Sequence, residues 1–236
     1  MNFASAFTPE RLQEAWNCLL TEFPFAVWET VYSTILATFF AIVLGLPLGI
    51  ILVTGEQKGI CPLPRPLMSF LNVLINLLRS VPFIILMVMV IPLTRVIVGT
   101  SVGTVASIVP LTVAAFPFIA RLVESSLREV NPNIIETAQA MGATPMQIIW
   151  RVMLPESVPS LITNFTLAIT TIMGYTAMSG AVGGGGLGKL ALAYGYQRYR
   201  YAVLYLAVIV LVIITQVIQS FGTWLARKCD KRLKNK

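Results

Sequence analysis

Four stretches of this chain lack charged residues for long enough to cross a lipid bilayer: residues 30–55, 96–120, 157–188 and 201–226; a fifth, 83–93, is shorter. A hydrocarbon core of about 30 Å takes ~20 apolar residues as helix. Backbone polar groups find no water there, so each crossing segment must satisfy its own hydrogen bonds, as a helix does. Of the 236 residues, 56% are hydrophobic and 11% charged, against about 25% charged in a soluble domain. The expected fold class is all-α: a polytopic membrane protein with five transmembrane helices. They are placed near 30–53, 67–93, 101–120, 158–180 and 201–226, with Arg79 inside the second.

Five spans put the two ends of the chain on opposite sides. Arg227, Lys228, Lys231, Arg232, Lys234 and Lys236 lie just beyond the last apolar run, and such a cluster marks the cytoplasmic side. The N-terminus is then extracytoplasmic. Lys58, Arg65, Arg121, Arg128 and Arg151 fall inside with the tail, while Arg11, Arg95, Lys189, Arg198 and Arg200 fall outside. A six-span alternative would have to bury the glycine-rich, polar stretch 183–200. Residues 1–26 read as an extracytoplasmic amphipathic segment: Thr8-Pro9 starts a helix that sets Leu12, Trp16, Leu19, Leu20 and Phe23 on one face for the membrane surface. Residues 27–226 form the transmembrane domain and 227–236 the basic cytoplasmic tail. No secretory signal is expected, since the first 20 residues hold one basic residue and no continuous apolar run.

The net charge is +7, but six of the 17 basic residues lie in the last ten positions, beside an apolar span, and the rest are not spread along a soluble face as a nucleic-acid surface would need. The chain has no histidine, which removes Ser-His triads, histidine metal sites and histidine proton relays. Cys18, Cys61 and Cys229 have neither metal nor redox spacing.

The loop 121–156 carries the strongest motif. Asn131-Pro132 caps a helix start, and Gly142 supplies the left-handed residue that ends it. Thr144-Pro145-Met146-Gln147 fits a capping box, so a second short helix follows, expected to stop near Pro155. Met146, Ile149, Trp150 and Met153 line one side of it. This apolar face either lies on lipid or docks into a groove on a cytoplasmic partner.

Glu136-x-Ala138-x-x-x-Gly142, followed after nine residues by Val152-x-Leu154-Pro155, resembles the EAA loop of ABC importer permeases. VWET (27–30), RSVPFIIL (79–86), IPLTRVIVGTSVG (91–103), ARLVE (120–124), AMGATPMQI (140–148), GYTAMSGAVGGGGLG (174–188) and YGYQRY (194–199) resemble the methionine importer permeases. Thr137 and Val152 depart mildly from the family pattern. The resemblance implies a type I ABC importer fold and a cytoplasmic coupling loop made of Glu136, Ala138, Gly142, Thr144, Met146, Ile149, Trp150, Leu154 and Pro155. It also implies a homodimer, two cytoplasmic ABC ATPase subunits, an extracytoplasmic substrate-binding lipoprotein and a place in the bacterial inner membrane. The expected cargo is methionine, L- and D-; another small apolar amino acid or a methionine derivative is the alternative. The chain itself is expected to be no enzyme and to carry no cofactor or metal, with ATP and Mg on the partner ATPase.

The run Gly183–Gly188 imitates a dinucleotide fingerprint and, with Lys189, a P-loop. Leu190 stands where Ser or Thr must reach Mg²⁺, and the run follows a membrane span where both motifs need a strand. It is read as a tight extracytoplasmic turn. Gly45-x-x-x-Gly49 permits close helix approach. Arg79 in an apolar span costs roughly 2.5–3.5 kcal/mol, so it either faces the translocation pathway or snorkels to the headgroups. Gly174, Tyr175 and Met178 are candidates for an outer gate. A secondary transporter would show a buried acidic ion site, yet residues 30–55 and 157–229 hold no Asp or Glu. A membrane-embedded enzyme would need the missing histidine or clustered acids.

Overall fold

The computed structural model describes residues 9–230, and every regular element among them is helical. Thr8 and the tail residues Lys231, Arg232, Lys234 and Lys236 lie outside the described residues. Helix α1 is Pro9–Thr21 and α2 is Phe23–Thr54. Then come α3 (Arg65–Ser80), α4 (Phe83–Met89), α5 (Ile91–Val98) and α6 (Thr104–Arg128). The loop helices are α7 (Pro132–Ala140) and α8 (Pro145–Ile148); α9 (Leu154–Ser179), α10 (Gly186–Leu190) and α11 (Tyr201–Cys229) complete the chain.

Four helical runs, at 23–54, 104–128, 145–182 and 201–229, are long and apolar enough to cross a membrane, and α3 with α4 makes a fifth, broken candidate. The expected second span is therefore not one helix. Val81 (φ −79°, ψ 125°) and Pro82 (φ −56°, ψ 136°) are extended, because the proline ring pushes the preceding residue out of the helical region. Arg79 stands exposed in the last turn of α3, beside the break between α3 and α4. The other expected spans exist but run longer at one or both ends. The run Gly183–Gly188 turns and then enters α10 at Gly186, and a π-helix, Ala191–Tyr196, follows.

The chain divides into two compact units. Unit 1 comprises Met1–Thr38, Pro82–Val113 and Ile169–Ile218; unit 2 comprises Phe39–Val81, Ala114–Ala168 and Gln219–Lys236. In unit 1, Cys18, Phe23 and Ala26 are buried with Leu187, Leu190, Ala202, Val203 and Ala207. Helix α1 thus packs on protein through Cys18 and Leu19, while Trp16 and Leu20 are exposed. In unit 2, Leu52, Ile75 and Ala120 form the core with Leu48, Met68 and Leu71.

Gly45 and Gly49 let α2 and α6 touch backbone to backbone. A Cβ at Gly45 would lie 2.8 Å from the Phe116 carbonyl oxygen, and one at Gly49 2.6 Å from that of Ala120. The small-residue pair is used within this chain. Buried hydroxyls on α2 are satisfied locally: those of Thr30, Thr34 and Thr38 donate to the carbonyls of Ala26, Thr30 and Thr34 at 2.9, 2.7 and 2.7 Å. Outward, α2 shows Ile35, Phe39, Phe40 and Val43, and α11 shows Val208, Ile209, Val212 and Val217, surfaces suited to hydrocarbon.

Candidate functional site

The loop between α6 and α9 is built on a polar seam within unit 2. Glu124, 8% exposed, accepts from Arg121 Nη1 at 2.6 Å and from Arg128 Nη2 at 2.8 Å. Arg128 reaches on to Glu56 at 2.6 Å. Arg121 Nη2 also donates to the side-chain oxygens of Asn72 at 2.8 Å and Asn76 at 3.0 Å, so α3 and α6 are joined by hydrogen bonds from a guanidinium that is itself ion-paired. On the other side of α6, Asn164 of α9 donates to Ser126 Oγ at 2.8 Å and to the Leu122 carbonyl at 3.2 Å. The loop therefore leaves and returns through helix ends held by charge and amide contacts.

From that base the chain turns by well-defined local chemistry. Asn131 Oδ1 accepts from the Asn133 N–H at 3.0 Å and starts α7. The end of α7 is a Schellman turn: the Gly142 N–H bonds the Gln139 carbonyl at 2.9 Å and the Ala143 N–H that of Ala138 at 3.1 Å. Gly142 takes φ +79° with open space where a Cβ would stand, so the need for glycine there is conformational. Both halves of the capping box are present: the Thr144 N–H donates to Gln147 Oε1 at 2.9 Å and the Gln147 N–H to Thr144 Oγ1 at 3.4 Å.

The helix that follows departs from expectation in two ways. It does not stop at Pro155. A π-turn, Ile149–Met153, carries α8 directly into α9, with the Leu154 N–H bonded to the Ile149 carbonyl. The widened turn makes room for a proline that would break a regular α-helix. Its apolar side is also divided. Ile148 and Met153 are buried at 1% exposure, and Ile149 is half-buried. Met146 and Trp150, one turn apart, point outward at 63% and 60% exposure, and the indole N–H contacts the thioether sulfur at 3.1 Å. Met141, 82% exposed, and Ile134, 41% exposed, complete an outward apolar knob. Glu136, Gly142, Thr144 and Pro155 are exposed around it, while Ala138 and Leu154 are half-buried. A rigid, apolar, exposed surface of this kind can dock into a groove.

Beside the loop, a cavity of about 420 Å³ is lined by Glu129, Glu156, Arg227, Asp230, Ser160 and Thr163 among others. Among the described residues no three Cys, Asp or Glu side chains gather into a set that could hold a metal ion.

In unit 1 the gate candidates separate. Gly174 has no neighbour within 4 Å of a would-be Cβ, and Met178, one turn on, is 48% exposed on the same face of α9. Tyr175 faces elsewhere: its ring stacks on the buried ring of Phe83, with centroids 4.6 Å apart and planes 6° from parallel. Arg79 belongs to unit 2 and shares a face of α3 with Asn72 and Asn76. That polar stripe, at i, i+4 and i+7 in an apolar segment, is a helical signal the sequence reading passed over.

A family model described as the binding-protein-dependent transport system inner membrane component matches residues 45–235. The chain belongs to this family. It is 47% identical over 207 residues to the Probable D-methionine transport system permease protein MetI of Vibrio cholerae, covering 88% of this chain and 92% of the relative. It is 49% identical over 154 residues to the D-methionine transport system permease protein MetI of Escherichia coli K12, covering 65% of this chain and 70% of that one. Among solved structures, the inward-facing MetNI methionine ABC transporter superposes with a TM-score of 0.88 at 45% identity, covering 90% of this chain and 98% of that one. A crystal structure of an amino acid ABC transporter with histidines, at 17% identity and a TM-score of 0.75 over 94% of this chain and 100% of that one, shares the fold. The fold is thus that of a type I ABC importer permease.

Proposed function

We propose that this chain is the permease subunit of an ATP-driven bacterial importer for methionine, L- and D-. The outward knob of Met141, Met146 and Trp150 on its rigid base carries the reading: it has the shape and chemistry of a surface made to be inserted into a partner. The relatives' names supply the cargo and the class of partner. On this reading two copies of the chain pair in the inner membrane, each docks one cytoplasmic ABC ATPase through residues 136–155, and a substrate-binding lipoprotein delivers methionine outside. ATP and Mg²⁺ are handled on the ATPase, and this chain catalyses no reaction. The N-terminus is extracytoplasmic and the C-terminus cytoplasmic, in keeping with the basic residues at 227–236.

The transport step is a change of helix packing. ATP binding closes the ATPase pair, and residues 136–155 move with it because their base is held by the Arg121–Glu124–Arg128 contacts. The membrane helices then exchange an inward-open for an outward-open state, biased by differential contacts at the knob. Gly174 and Met178, on one open face of α9, are the residues assigned to narrow the path in this reading, with methionine's adaptable side chain forming the seal. Arg79, exposed at the end of α3, is kept as a further candidate pathway residue.

The test is affinity purification of the tagged chain from its native membrane, comparing wild type with Gly142→Pro, followed by uptake of labelled methionine in liposomes. Proline cannot reach φ +79°, so the mutant is expected to lose an ATPase that wild type retains at one per permease. A wild-type chain that purifies without an ATPase and transports alone would overturn the reading. Uptake of other apolar amino acids in preference to methionine would overturn the cargo alone.

A further inference from the structure

Glu29 is the only acidic residue of α2, and none occurs in Pro82–Val113 or Ile169–Ile218. Among the described residues it has no ion-pair partner. Both its oxygens are nevertheless occupied. Oε1 accepts from the Thr104 hydroxyl at 2.5 Å, at the start of α6, and Oε2 accepts from the Gly186 N–H at 2.8 Å, at the start of α10. The next residue repeats the contact: Thr30 Oγ1 accepts from the Leu187 N–H at 2.9 Å. A third strand of the junction runs from the Gly103 N–H to the Gly183 carbonyl at 2.8 Å.

The glycines of this turn are there so that the three segments can meet. A Cβ on Gly185 would overlap Thr104 Oγ1, and one on Gly186, which has φ +79°, would overlap Thr30 Oγ1. A Cβ on Gly188 would overlap the Ala177 carbonyl. The turn that imitates a phosphate loop is closed by a carboxylate of its own chain.

We propose that Glu29 is a positioning residue for transport: its carboxylate clamps the glycine turn to the starts of α2 and α6, so that the three move as one body when the outer end opens. The inference rests on the importer reading above. The chemistry needed is two hydrogen-bonding atoms at fixed separation, one of them an acceptor for the Gly186 N–H. Glutamine can supply it, because the amide oxygen can take the Gly186 N–H while the Thr104 hydroxyl reverses and accepts. Alanine loses both contacts, and Thr104→Val loses one.

The permease–ATPase complex is purified and reconstituted as wild type, Glu29→Ala, Glu29→Gln, Thr104→Val and Thr104→Ser. Amide exchange across 183–187, ATP hydrolysis with and without binding protein, and methionine imported per ATP are measured. Losing hydrogen bonds to a charged acceptor should speed exchange by roughly tenfold or more in Glu29→Ala, and import per ATP should fall several-fold. Thr104→Val should move both in the same direction by less; Glu29→Gln and Thr104→Ser should stay near wild type. Faster exchange with unchanged import and hydrolysis would make the contact merely structural and overturn the proposal. Glu29→Gln as damaged as Glu29→Ala would show that charge, and not position, is used. If Glu29→Ala does not assemble, equal transport by Thr104→Val and Thr104→Ser overturns it. Wild type that hydrolyses ATP but imports no methionine defeats the cargo reading, and the clamp is then judged on stimulated hydrolysis.

Discussion

Single residues in this chain are constrained by different physics even when their type is the same. Gly142 needs φ +79° and has empty space around it. Gly142→Ala should therefore strain the loop by about 1–2 kcal/mol without a clash, visible as a lower melting temperature of the complex with the ATPase still bound. Gly49 is the opposite case: its helical backbone suits any residue, but a Cβ would press on the Ala120 carbonyl and on Val123. Gly49→Ala should destabilise by about 1–3 kcal/mol through overpacking, and Gly174→Ala, with space to spare, should not. The cysteines differ in the same manner. Burial pushes the Cys18 thiol above its ordinary range, with Glu22 adding to the effect and Arg200 opposing it, while Cys61 is exposed. A maleimide should label Cys61 quickly and Cys18 only after unfolding, which mass spectrometry of the labelled chain would read.

Among the elements, the polar seam around Glu124 should respond unequally to loss of its two arginines. Arg121 and Glu124 are 20% and 11% exposed at the side chain, and Arg121 holds two asparagines besides. Arg121→Met should lower stability by about 2 kcal/mol, since it removes one of the two cationic partners of a buried carboxylate and the shared donor of two asparagine oxygens. Arg128, 48% exposed, works through solvent, and Arg128→Met should cost under about 1 kcal/mol; thermal unfolding in one detergent compares the two. At the loop, Trp150→Ala removes the largest exposed side chain of the knob. An interface hot spot of this kind is worth about 2 kcal/mol or more, so the ATPase should dissociate roughly 30-fold more readily, measured by titration of the purified subunits. The starts and turns of these elements could be read from adjacent residues: Asn131 before Pro132, Thr144 three before Gln147, Gly142 after α7. The π-turn before Pro155 could not, because proline's local rule says stop and only the packing of Ile148 and Met153 carries the helix through. The same holds for Asn72 and Asn76, whose partner Arg121 is more than forty residues away.

For the molecule as a whole, the proposed topology places Cys61 inside. Membrane-impermeant maleimide should leave it unlabelled in intact cells and label it in inverted vesicles; labelling in intact cells would reverse the orientation argued from the basic residues. The sequence by itself determined that the chain crosses a membrane as helices, where its long spans lie and how the loop before α9 is capped and turned. Those features follow from runs of apolar residues and from caps acting over a few positions. The tertiary structure decided what no local pattern contains: that Pro82 breaks the second span, that Gly45 and Gly49 serve α2 against α6, that Met153 turns inward while Trp150 turns out, and that Glu29 closes a glycine turn 157 positions further along the chain. In each case the partner is remote in sequence, and only folding brings it within the few ångströms over which a hydrogen bond or a steric contact acts.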